Sequence, residues 1–125
     1  MTTSERKAID TFVNMFSGSC KKLGPDDVDY KVFNAAGELI AYAEVIVGTM
    51  PIRSSYPLSI AADKLVKLVA KRLNPVIVWA CEDGIIYGRV ELLVGTARFS
   101  GGADYGELTI YYDKQRSMKY VRFIP

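Results

Sequence analysis

The side chains of this chain that could do chemistry are carboxylates and lysines, because histidine is absent from all 125 residues. That absence excludes Ser-His-Asp and Cys-His catalysis, histidine-ligated zinc and histidine general bases. The acids of interest flank a predicted β-hairpin. Asp27, Asp29 and Lys31 lie on or beside a β-rich run at residues 28–34, and Glu44 lies on a second run at residues 39–47. Ala35-Ala36-Gly37 separates the two runs, a short Gly-containing turn between apolar strands. Side chains two apart on a strand share a face, so Tyr42, Glu44 and Ile46 point the same way. A two-residue turn at Ala36-Gly37 sets Asp29 directly opposite Glu44. A four-residue turn at 34–37 shifts the pairing but keeps both on one face, and a three-residue turn with a bulge sends them to opposite faces.

Converging carboxylates repel, so such a pair is costly unless a cation or a proton compensates. A hard divalent ion is the natural compensator, since magnesium takes one or two carboxylates together with water and phosphate oxygens. It would activate water and stabilise charge at a phosphodiester. The alternative is that Asp27 and Asp29 stand at a solvated strand entrance while Glu44 pairs with Lys31 or Lys64.

Asp29-Tyr30, the short turn and then Ala43-Glu44-Val45 resemble the core of the restriction-endonuclease-like nucleases, the PD-(D/E)XK superfamily. The following order is similar too: a loop, a helix with a lysine near its start (residues 59–64), a buried strand (76–80), then Asp83-Gly84 and another strand. The resemblance spans about residues 5–94 and implies small, stand-alone members of the kind carried by phages and mobile elements. It implies that Asp29 and Glu44 bind Mg²⁺ or Mn²⁺, and that Glu5 on the first helix is an additional metal-side acid. It also implies a lysine two residues after the second acid, where this chain has Ile46. An aliphatic side chain can neither donate to water nor steady charge on phosphate. Either the lysine has migrated, with Lys64 the first candidate and Lys31 the second, or the site is dead and the fold serves binding.

Lys64, Lys67, Lys71 and Arg72 would form a phosphate-tracking stripe if they lie beside the hairpin, and Arg53 follows it in a loop. Lys114, Arg116, Lys119 and Arg122 alternate with Tyr111, Tyr112 and Tyr120. That mixture suits single-stranded nucleic acid and equally an ordinary amphipathic strand pair.

These residues need elements to hold them. Thr2 and Glu5 have capping-box spacing, and Ile9, Phe12, Val13 and Phe16 follow at helical intervals, which predicts a helix over 4–16. Residues 18–24 read as an exit loop and 48–58 as a second loop. Ser59 is placed as the cap of a helix over 60–73, with Ile60, Leu65, Leu68 and Val69 inward. The run 75–81 (PVIVWAC) is continuously apolar, the mark of a strand covered on both faces, with Trp79 in the core. Strands follow at 85–94, 107–112 and 119–124, with a flexible loop at 100–102. The expected fold class is α/β: one domain over 1–125, with a core at about 4–94 and C-terminal strands at about 105–124. Its central mixed sheet is flanked by two helices.

Bulk properties narrow the function classes further. Hydrophobic residues make up 50%, charged residues 24%, and the net charge is +2, so any basic surface must come from local clustering. Cys20 and Cys81 lack metal-type spacing and are too few for a disulfide framework. No secretory signal is read at the N-terminus, and the apolar stretches fall short of the roughly 20 residues of a membrane span. A cytoplasmic protein is expected, in the host cytoplasm if phage-encoded, with no membrane partner. Three functions fit: a Mg²⁺-dependent DNA nuclease; an inactive nuclease-fold module binding nucleic acid (DNA before RNA) or a host protein; or a structural protein that forms homo-oligomers, such as a homodimer.

Overall fold

The chain is described by a computed structural model over residues 3–101 and 106–124. In chain order its elements are α1 (Thr3–Asn14), β1 (Ser19–Lys22), β2 (Tyr30–Phe33), β3 (Leu39–Val47), β4 (Leu58–Ala61) and α2 (Ala62–Ala70). Then come β5 (Pro75–Ala80), β6 (Gly84–Arg89), a 3₁₀ turn (Val90–Leu92), β7 (Thr96–Ser100), β8 (Glu107–Tyr112) and β9 (Lys119–Arg122). The expected capping residue Thr2 and Gly102 of the expected loop lie outside the described residues.

The apolar run at β5 sits between β3 and β6 in a six-stranded sheet of order β1-β2-β3-β5-β6-β9. β3 and β5 are parallel, and the other pairings in this sheet are antiparallel. This is the mixed sheet read from the sequence. Its two faces follow from the strand period of two. Val76 and Val78 face α1, where Ala8, Ile9, Phe12 and Val13 meet Tyr30, Val32, Ala41, Ala43 and Val45. Ile77 and Trp79 face the other way, onto Leu68 of α2, Ile60 of β4 and Tyr112 of β8. The second face is therefore covered by α2 and by a separate three-stranded sheet of order β4-β8-β7. Among the described residues no helix is long and apolar enough to cross a membrane.

Several expected boundaries are corrected. Residues 19–22, expected as loop, form β1. The sequence Ser-Cys-Lys-Lys has no apolar alternation, and lysine is a usual residue of edge strands. Residues 58–61 belong to β4, so Ile60 reaches the core from a strand. Ser59 does not cap α2: its carbonyl accepts the Trp79 indole N–H at 2.9 Å, and Ala61 at the N-cap makes no side-chain capping bond. α2 ends at Ala70 because Arg72 and Asn74 take positive φ values of 57° and 39° ahead of Pro75, which a helix cannot accommodate. Val69, expected inward, is exposed. The strand expected over 85–94 stops at Arg89, and β7 occupies residues expected to be partly loop. β9 joins the central sheet beside β6, so the C-terminal strands are integral to the core.

Candidate functional site

The hairpin register decides whether the two acids meet. Asn34 N–H donates to the Glu38 carbonyl at 2.9 Å and Gly37 N–H to the Asn34 carbonyl at 3.0 Å, closing a three-residue turn over 35–37. Gly37 has φ of 81°, a left-handed conformation that glycine adopts without the Cβ penalty. The sequence predicts that such a turn separates the acids. A second irregularity reverses the effect: Phe33 pairs with Leu39 but Val32 pairs with Ala41, leaving Ile40 as an extra residue in β3. Two one-residue offsets cancel in parity, so Tyr30 pairs with Ala43 and Asp29 comes opposite Glu44 one step further on.

At that step the backbone ladder gives way to side chains. Glu44 Oε1 accepts the Asp29 N–H at 2.8 Å, and Asp29 Oδ2 accepts the Val45 N–H at 2.8 Å. Each acid thus satisfies a backbone donor of the opposing strand where β2 begins. Lys22, which the sequence placed in a loop, brings an ammonium beside Asp29. Its Nζ lies 3.1 Å from Asp29 Oδ1 and 2.9 Å from Glu5 Oε2. The Tyr30 hydroxyl donates to the same Glu5 oxygen at 2.6 Å, and the Lys22 ammonium stands 4.8 Å from the Tyr30 ring centre. Glu5, Lys22, Asp29 and Glu44 form one connected network from α1 to β3. The Lys21-Lys22 pair was the available signal for β1.

Burial and charge set the protonation of this network. Glu44 is only 3% exposed, whereas Asp29 is half-buried. Burial first, then the Asp29 charge, raises the Glu44 pKa from 4.5 to about 7, with the Lys64 ammonium opposing. Glu5 moves the other way: burial works against its charge, but the Tyr30 and Lys22 hydrogen bonds outweigh it and lower its pKa. Lys22 is held above its ordinary value by its bonds to Glu5 and Asp29, which exceed the cost of burial. A buried carboxyl beside a second carboxyl carries an unfavourable charge that a proton or a cation relieves. Among the described residues no group of three or more acidic or cysteine side chains gathers as a metal cage, and Glu5 is engaged by Lys22 and Tyr30.

The other expected residues divide between near and far. Lys64 acts on Glu44 through space. Lys31 pairs with Lys21 of β1 on one side and with Tyr42 on the other. Tyr42 packs on the α2 side of the sheet, so the row Lys21-Lys31-Tyr42 runs across that face beside Glu44. Lys71 adds a fourth member, its ammonium 2.8 Å from Asp27 and 5.3 Å from the Tyr42 ring. Lys67, Arg72 and Arg53 are exposed, and no contact joins them to the acids. The C-terminal cations do not make one stripe. Lys114 donates to the carbonyls of Ile52 and Ser54, Arg122 pairs with Asp83, and Tyr112 is buried. Comparison with protein-family models, with curated proteins and with solved structures gives no match. The functional reading therefore rests on the site.

Proposed function

We propose that the chain is a nuclease-like domain acting on DNA phosphodiesters, with Asp29 and Glu44 as the acid pair and Lys22 in place of the amine missing at Ile46. The observation that carries this reading is the meeting of the two acids, from neighbouring strands, with the Lys22 ammonium on one of them. Asp29 and Glu44 would hold Mg²⁺ or Mn²⁺, which supplies charge stabilisation at the phosphodiester and activates water. Lys22 fixes the Asp29 carboxylate and offers a cation at the site edge; Glu5 and Tyr30 in turn hold Lys22. Lys64 and Lys31, the expected substitutes, fall to the role of phosphate contacts with Lys21 and Lys71. The order α1, then β1, β2 and β3, then α2 and the buried strand β5, with β4 inserted before α2, supports the restriction-endonuclease-like reading.

One observation favours a second reading. Both Asp29 oxygens already accept protein donors, from Lys22 and from Val45, and Glu44 is closed from solvent. A site so occupied serves equally to lock the strand end in a domain that binds DNA without cutting it. Purified protein incubated with single-stranded, duplex and supercoiled DNA in Mg²⁺ or Mn²⁺ separates the two. Cleavage that falls at least about tenfold in Asp29→Ala, Glu44→Ala and Lys22→Met, and returns partly in Lys22→Arg, supports hydrolysis. Salt-dependent binding with no cleavage, not gained even in Ile46→Lys, supports the binding module. No binding to any DNA form sinks both.

A further inference from the structure

A cavity lies beyond the carboxyl ends of β3 and β5, between the central sheet, the loop that follows β3, and the small sheet. It has a volume of about 170 Å³, and its walls include Ile46, Trp79, Ile86, Leu58 and Tyr56. β3 and β5 are the parallel pair, and the chain leaves them in different directions: β3 into the loop toward β4, β5 into the tight turn to β6.

One cation, Lys114, stands in this mostly apolar wall, to which Ser54 and Ser59 also belong. Lys114 is half-buried, and its ammonium donates to the carbonyls of Ile52 and Ser54. An ammonium has three donors, so one remains. Among the described residues no carboxylate forms an ion pair with it. A half-buried ammonium on a residue that lines a mostly apolar cavity attracts an anion more strongly than an exposed lysine does, because fewer water dipoles screen it.

We propose that this cavity binds a small aromatic or short-chain aliphatic carboxylate. Its apolar body lies against Trp79, Ile46 and Ile86, and its carboxylate sits on Lys114. Size sets the class: a cavity of roughly 150 Å³ lined by aliphatic side chains takes one benzene ring, so this one takes about a ring or a chain of similar bulk. The proposal stands apart from the acid pair at Asp29 and Glu44 and does not depend on DNA cleavage.

Trp79 is the sole tryptophan, so its fluorescence reports the cavity directly. The full chain is titrated with benzoate, with benzyl alcohol as the neutral analogue and benzylamine as the cationic one. Saturable change is expected with benzoate, about tenfold weaker binding with benzyl alcohol, and none with benzylamine. Lys114→Met should weaken benzoate about tenfold and leave benzyl alcohol within about twofold, while Ile46→Phe, which fills the cavity, should weaken both. Melting curves verify that each variant folds, and the comparison of three ligands on the unaltered chain stands even if one does not. No saturable response to benzoate, or equal response to all three ligands, overturns the proposal.

Discussion

Glu44 is the side chain on which most of the site's physics depends. Its pKa rises from 4.5 to about 7 through burial and then the Asp29 charge, so the folded state holds a proton that the unfolded chain has released. Stability is then full below about pH 4.5 and falls as pH climbs through about 7, by up to about 3 kcal/mol. Glu44→Gln keeps an oxygen for the Asp29 N–H but cannot ionise. Urea midpoints measured from pH 5 to 8.5 should fall up to a little above pH 7 and then level off in the native chain, and stay nearly flat throughout in the variant. An equal slope in both would show that the buried carboxyl is not the titrating group. Mg²⁺ should raise the midpoint of the native chain above pH 7 and have little effect on Glu44→Gln, since a ligand that binds only the folded state stabilises it. The acid pair was legible only as an alternative, because which residues face each other depends on a turn length that the sequence leaves open. Lys22 was not legible: its strand has no apolar alternation, and its position emerges only once Glu5 on α1 and Asp29, just before β2, are brought to it.

At the scale of elements, the hairpin shows how two acids can meet across a turn expected to part them. The sequence offered three turn lengths, and the three-residue turn observed at 35–37 is the one expected to separate the acids. Ile40 cancels the shift, and nothing in the local sequence marks it, since Leu39-Ile40-Ala41 reads as continuous strand. Helix α2 illustrates the same limit. Its apolar spacing is genuine, but Ile60 contributes from β4, because periodicity cannot tell a strand that runs straight into a helix from a longer helix. A further element-level feature is the direct pairing of Lys21 with Lys31. Like charges opposite each other on adjoining strands cost stability, and the phosphate contacts proposed above would offset that cost. Lys21→Glu should raise stability by about 0.2–1 kcal/mol, read from chemical denaturation. It should also weaken DNA binding and reduce its salt dependence by removing a phosphate contact. Unchanged DNA affinity would place the ligand elsewhere.

Across the whole molecule, two apolar layers meet on one sheet, and protection should grade outward from their common strand. β5 is buried from Val76 to Ala80 and bonded on both edges, to β3 and β6. This was the most legible part of the chain, because an unbroken apolar run admits few other placements. β7 is the opposite case. Its five residues are all exposed, it pairs on one side only, with β8, and Phe99 on it is 67% exposed. A strand that buries so little has weak apolar periodicity to read, which is why the sequence did not separate it from a loop. Opening β7 exposes almost no new apolar surface, whereas releasing β5 requires α1 on one face and both α2 and the small sheet on the other to part. Native-state hydrogen exchange should therefore show β5 amides exchanging only through global unfolding, with free energies that follow denaturation. β7 amides should exchange through local opening, at least about a hundredfold faster. Equal protection in the two strands would mean that the small sheet is fastened to the core more firmly than its side-chain burial allows.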